Sequence, residues 1–251
     1  MAPRTAEPVH PSLLRRGLDA ARFALLTPAW AYSGRRVTRY YSDLLQTHGY
    51  APQALAERAE DKDNAFYQHL FHRIVALESP AVLDIGCGMG DLLEFLAARE
   101  IAPSGYLGLD LVPAFVERCR ERYAPPLRFE CANFVTRRFA PHERYDLVVS
   151  MGVMVSRVLG YESYVEACIN KMLRVSRRYV VFNLITEVDS SQGNYQETSQ
   201  VGAITYLPRP QLEAMLQRAA RTHNAEYHIN AQRIYGDSVD AFVHLEKRAA
   251  R

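Results

Sequence analysis

Apolar positions along this chain follow two periods, and the change falls near residue 80. Up to about Ser79, aromatic and leucine positions recur at helical spacing between breakers: Pro11, Pro28, Gly34, the stretch at 49–52 and Ser79-Pro80. In DNAFYQHLFHRIVAL, residues 63–77, Phe66, Tyr67, Leu70, Phe71, Ile74 and Leu77 share one predicted helical face, with His69, His72 and Arg73 opposite. From Ala81 onward, short apolar runs alternate with amphipathic segments, the pattern of βαβ units in a parallel sheet. AVLDI, YLGLDL, LRFECAN, YDLVVSM and RYVVFNLI read as strands; DLLEFLAARE, PAFVERCRERY and YESYVEACINKML read as helices. Tyr161, Tyr164, Val165, Cys168, Ile169 and Met172 form the buried stripe of the third of these helices.

The pattern changes again after the fifth strand. The polar stretch near 186–207 is too long for a minimal connection and is expected to be a lid or a substrate loop. A helix, PRPQLEAMLQRAA, follows, and two closing runs, AEYHINA and DAFVHLEK, are placed to pair antiparallel. The reading is an α/β fold in two parts: a helical cap over residues 1–79 and a Rossmann-like domain over 80–251 carrying the lid.

Composition narrows the function classes. The 251 residues carry 30 basic and 28 acidic side chains, a formal charge of +2, so no global field attracts nucleic acid or an acidic membrane. No apolar run approaches the roughly 20 residues that span a bilayer, since Pro28 interrupts FALLTPAWAY. Cys87, Cys119, Cys131 and Cys168 form no CxxC pair, and MAPRTAEPVHP has no charged-then-apolar leader, which points to reduced thiols and a cytoplasmic location. His69 and His72 have the spacing of half a metal site on a helix, but no third ligand is evident, so no metal is expected.

Chemistry concentrates at VLDIGCGMGDL, residues 82–92. A strand, a glycine turn and a helix together make a nucleotide site, because glycine admits a ligand to the backbone. A dinucleotide fingerprint needs a third glycine at position 91, where Asp91 stands. Asp84, two residues before Gly86, would repel a pyrophosphate about 5 Å away by roughly 3 kcal/mol per charge pair at an effective dielectric of 20, and would attract a cation equally. Asp110 ends the next strand, where a carboxylate accepts from both hydroxyls of a ribose. The two acids together describe an adenosyl ligand with an amino-acid tail.

VLDIGCGMG followed by LGLDL resembles the first two motifs of class I S-adenosylmethionine-dependent methyltransferases, and the resemblance covers Ala81 to about Lys247. It implies a seven-stranded sheet with the last strand antiparallel. By that resemblance Asp84, Gly86 and Gly88 line the methionine end of the donor, Asp110 holds the ribose and Leu111 packs on the adenine. Where the family usually carries an acid after the third strand this chain has Asn133, whose carbonyl still accepts from the adenine amino group, followed by Phe134 with its backbone N–H and ring. Ser150, Met151 and Gly152 would run past the sulfonium.

The acceptor is not written in the donor motif, because a cationic sulfur already activates its methyl group and the protein mainly has to align a nucleophile. Tyr40 and Tyr41 on the cap and Asn183 at the expected end of the fifth strand are the candidate catalytic residues, with Tyr195 and Tyr206 flanking the polar stretch. The leading expectation is methyl transfer to a small molecule in bacterial specialised metabolism. Two alternatives stay open: a cyclase that turns the donor itself into azetidine-2-carboxylate and methylthioadenosine, and a donor-binding protein without catalysis.

Overall fold

A computed structural model of the chain describes residues 11–56, 65–74, 77–189, 204–234 and 237–248, with backbone alone over 11–22 and at 65. The apolar runs become strands: β1 (Ala81–Ile85), β2 (Gly105–Asp110), β3 (Leu127–Cys131), β4 (Tyr145–Ser150), β5 (Ser176–Val188), β6 (Ala225–Gln232) and β7 (Ser238–Lys247). They form one sheet in the order β3-β2-β1-β4-β5-β7-β6. β1 to β5 run parallel, β6 and β7 pair antiparallel as the two closing runs predict, and β7 enters antiparallel between β5 and β6 as the resemblance implies. The order reverses between β1 and β4, so the carboxyl ends of these strands open the crevice where such sheets bind ligands.

Helices cover both faces. α3 (Asp91–Ala97) and α4 (Pro113–Arg122) join a core with Phe95, Tyr106, Phe129 and Phe242. α5 (Tyr161–Val175) and α6 (Arg209–His223) cover the other face, burying Val165, Ile169, Leu212 and Leu216 with Leu83 and Val148. Pro113 opens α4, where its missing N–H is not needed, and Asn224 ends α6 with a φ of 51°, a conformation asparagine tolerates.

The cap differs from expectation in two ways. α1 (Pro11–His48) is one continuous helix that passes through both Pro28 and Gly34. A proline inside a helix costs about 3 kcal/mol, but tertiary contacts outweigh it here. Trp30 Nε1 donates to Leu159 O at 3.1 Å, fastening the helix beyond the proline, while within the helix Thr27 Oγ1 donates to Phe23 O at 2.7 Å. Gly34 is a point of close approach rather than a breaker, since a Cβ there would lie 3.0 Å from Asn133 Nδ2.

The second difference is length. α2 (Ala65–Phe71) is only seven residues, and Ile74 and Leu77 reach the same core from outside the helix. His69, opposite the apolar face in the helical pattern, packs its ring 5.1 Å from that of Phe242. Burial lowers the pKa of His69, with His72 adding to the fall. Most of the expected lid, 190–203 with Tyr195, lies outside the described residues; Thr186 to Val188 extend β5.

Candidate functional site

The turn between β1 and α3 is built on left-handed glycines. Gly86 has a φ of 74°, and a Cβ on it would sit 2.3 Å from Val153 Cγ2. The N–H groups of Gly86 and Cys87 both donate to Leu109 O, at 2.7 and 3.0 Å, which ties the turn to the end of β2. Asp110 completes the tie: its carboxylate accepts from the N–H of Gly88 at 3.0 Å and from that of Val112 at 2.8 Å. Burial raises the Asp110 pKa, and these backbone donors oppose the rise.

Asp84 lies behind this turn. It is 2% exposed, accepts from the Tyr106 hydroxyl at 2.6 Å and does not line the cavity in front of the glycines. Burial pushes its pKa up to about 7; the Tyr106 bond pulls it down, and the carboxylates of Asp110 and Asp91 push it further up. Burial thus favours the neutral carboxyl, and a cation arriving nearby would favour its ionised form.

The cavity itself measures about 520 Å³, within the ordinary range for a small-molecule site. Its floor is the carboxyl edge of the sheet and its roof is α1. Trp30 anchors that roof: it is 2% exposed and meets the rings of Phe23 and Tyr164 edge-on at 5.4 and 5.9 Å. Ser33 Oγ accepts from the N–H of Leu159 at 3.1 Å, and Thr38 Oγ1 donates to Leu111 O at 3.2 Å. These bonds hold α1 against both the segment after β4 and the end of β2.

Of the residues singled out from sequence, Gly86, Gly88, Asp110, Leu111, Asn133, Phe134, Met151, Tyr40, Tyr41 and Asn183 all line this cavity. Asn133 Oδ1 already accepts from the N–H of Val135 at 3.0 Å, leaving its second lone pair toward other donors. Tyr40 and Tyr41 meet edge-on at 5.2 Å; Tyr41 packs toward Ala54, Val112 and Phe115, while Tyr40 is 40% exposed. Asn183 is deeply buried, with Oδ1 accepting from the N–H of Gly152 at 2.8 Å.

Other lining residues were not foreseen. Phe66 and Tyr67 come from α2, Leu55 from a 3-10 turn at Pro52–Leu55, and Asp240 from β7. Asp240 did carry a signal, an acid inside a run whose neighbours are apolar on both sides. Among the described residues, no group of three or more His, Cys, Asp or Glu side chains is arranged to hold a metal ion. No helix among them is long and apolar enough to cross a membrane.

Comparison with known proteins identifies the scaffold. Residues 82–179 match the model of the family described as Methyltransferase domain. The chain is 33% identical over 104 residues to the phthiotriol/phenolphthiotriol dimycocerosates methyltransferase of Mycobacterium leprae, covering 40% of this chain but only 38% of that protein. A Mycobacterium tuberculosis protein named among the methyltransferases is 32% identical over 122 residues, 45% of this chain and 69% of that protein. In fold, the chain is similar to magnesium protoporphyrin IX methyltransferase of Synechocystis with bound SAH, at a TM-score of 0.56 and 13% identity over 75% of this chain and 83% of that one. With the glycine turn, the acid ending β2 and the antiparallel β7 in place, the chain belongs to the class I S-adenosylmethionine-dependent methyltransferase family.

Proposed function

We propose that the cavity binds S-adenosylmethionine and directs its methyl group to a small molecule of bacterial specialised metabolism. One observation carries the reading. Asp110 is held by the N–H groups of Gly88 and Val112, so the acid and the glycine turn form a single wall of the cavity. On this reading Asp110 receives the ribose hydroxyls, and Leu111, Asn133 and Phe134 enclose the adenine. Gly86, Gly88 and Met151 border the methionine end, with Asp84 acting on its charge from behind the turn.

The residues present fit such a donor. Asp91, Glu94 and Asp110 line the cavity from the start of α3 and the end of β2, and among the described residues no Lys, Arg or His lines it, which suits a ligand with a cationic sulfur. When bound, the donor supplies a methyl group on a sulfur that departs as a neutral thioether. The protein's own part is to orient the acceptor and exclude water, and the helical cap over residues 1–79 does both in this reading, with Tyr40 and Tyr41 on its inner side. The Mycobacterium leprae relative, named for phthiotriol and phenolphthiotriol dimycocerosates, supports a non-polymeric acceptor.

Calorimetry with S-adenosylmethionine tests the donor site. Losing hydrogen bonds to a charged group costs roughly 1.5–3 kcal/mol, so Asp110→Ala should weaken binding about 10- to 100-fold. Asp110→Asn, which retains one acceptor oxygen, should fall between. Unchanged affinity in both would remove the assignment. Mass spectrometry after incubation with the donor alone then separates the chemistries: an intact donor, with S-adenosylhomocysteine appearing only when acceptors are added, fits methyl transfer. Methylthioadenosine formed from the donor alone would replace this reading with cyclisation.

A further inference from the structure

The far end of the cavity holds a polar pair that the donor does not explain. Asn183 lies on β5 opposite Phe242 of β7, and Asp240 lies two residues before Phe242, so both project from the same face of the sheet. Each is 3% exposed, and each lines the cavity. Because Asn183 Oδ1 accepts from the N–H of Gly152 at 2.8 Å, its amide orientation is set. Its Nδ2 is therefore directed to Asp240 Oδ1, at 3.5 Å.

This pair sits where an acceptor must approach. Gly152 follows Met151 at the carboxyl end of β4, and Asn183 bridges from that point to β7. The walls around it are apolar: Phe66, Tyr67, Val153 and Ile185 line the same cavity, and Phe66 packs 5.6 Å from Phe242. A buried carboxylate in such surroundings accepts a proton or a hydrogen bond readily and repels another carboxylate.

We propose that Asp240, positioned by Asn183, is the proton acceptor for the incoming nucleophile, and that the acceptor is an apolar molecule bearing a hydroxyl or amine rather than a carboxylic acid. The inference rests on the methyl-transfer reading above. In the step, the acceptor's oxygen or nitrogen bonds to the methyl carbon as the sulfur–methyl bond breaks. That bond's electron pair stays on sulfur, and the acceptor's proton passes to the Asp240 carboxylate. Nothing is oxidised or reduced.

Two probes matched in shape test the proposal by calorimetry, on the full chain saturated with S-adenosylhomocysteine: p-cresol and p-toluate. Wild-type protein should bind p-cresol at least about tenfold more tightly than p-toluate, and Asp240→Asn should narrow that gap to about threefold, chiefly by improving p-toluate, with S-adenosylhomocysteine affinity unchanged. Asn183→Ala, which removes the Nδ2 contact without removing the Asp240 charge, should weaken p-cresol yet keep p-toluate excluded. Equal binding of the two probes by wild-type protein, binding of neither, or an unaltered preference in folded Asp240→Asn would overturn the proposal. The wild-type comparison decides the matter even if a variant fails to fold. Failure of S-adenosylhomocysteine to bind wild-type protein would instead sink the donor-site reading beneath it.

Discussion

The two ends of the cavity are built in different ways. The donor wall comes mostly from one stretch of chain: the glycine turn, the end of β2 and Asn133-Phe134 all lie between residues 82 and 134, and Met151 joins them from just past β4. It is held largely by backbone bonds, Gly86 and Cys87 to Leu109 O and Gly88 to the Asp110 carboxylate. The roof and the acceptor end gather Trp30, Tyr40, Phe66, Asn183 and Asp240 from segments up to 210 residues apart in sequence, and they are held by side chains. A wall made by local backbone geometry suits a constant ligand. An end made by scattered side chains can change its acceptor through single substitutions without disturbing the donor wall.

Four changes would sharpen or break that contrast, and the largest effect is expected in the roof. Trp30→Ala removes a fully buried ring with two edge-on partners and a hydrogen bond, so stability should fall by about 3–5 kcal/mol in urea unfolding. A loss below about 1 kcal/mol would mean that α1 is not held by this anchor.

The donor wall should show itself through pH. Burial raises the Asp84 pKa from 3.8 to about 7, so the folded chain prefers the protonated form. Its contribution is fully present below 3.8 and is lost as pH rises through about 7. His223 and His244 act in the opposite sense. Burial lowers both from 6.5 to about 4, so their contribution is present above 6.5 and is lost as pH falls through about 4. The quantity to measure is therefore the difference between wild type and Asp84→Asn. Between pH 4 and pH 8 that difference should move by on the order of 3 kcal/mol against the wild type. A flat difference would show that the Asp84 carboxyl titrates normally in the folded chain.

Gly86→Ala should cost about 2 kcal/mol, because a positive φ disfavours a side chain and Val153 would have to move. Donor affinity should fall with it, by at least about tenfold, as seen by calorimetry. Retained affinity would mean that the turn does not set the donor wall. The smallest effect belongs to the surface pair Arg209–Glu213, four residues apart and more than a third exposed on both sides. Arg209→Gln should shift stability by no more than about 0.5 kcal/mol in the same unfolding assay; a larger loss would give this exposed pair a weight that neither end of the cavity requires.

Much of the donor wall is legible in the sequence, and particular residues show why. Asp84, Gly86, Gly88 and Asp110 announce themselves because strand, turn and helix follow within about thirty residues, and each local preference agrees with the next. The central strands are legible for the same reason, since apolar runs such as β1 and β4, buried on both faces, leave few alternatives. What the line of residues does not reveal is how remote parts meet. Pro28 and Gly34 read as breakers, because the weak local preference is visible in the chain and the bonds of Trp30 and Ser33 that overrule it are not.

Sequence alone therefore determined the strands, the glycine turn and the class of ligand that turn admits, since each is written in a short run of neighbouring residues. Only the tertiary structure decided that α1 runs unbroken as a roof, that Asp84 stands behind the turn, and that Asp240 lies beside Asn183. Each of those outcomes depends on strand order and on side chains meeting across distant parts of the chain. Contacts of that kind carry no local periodicity, and they exist only once the sheet has closed around them.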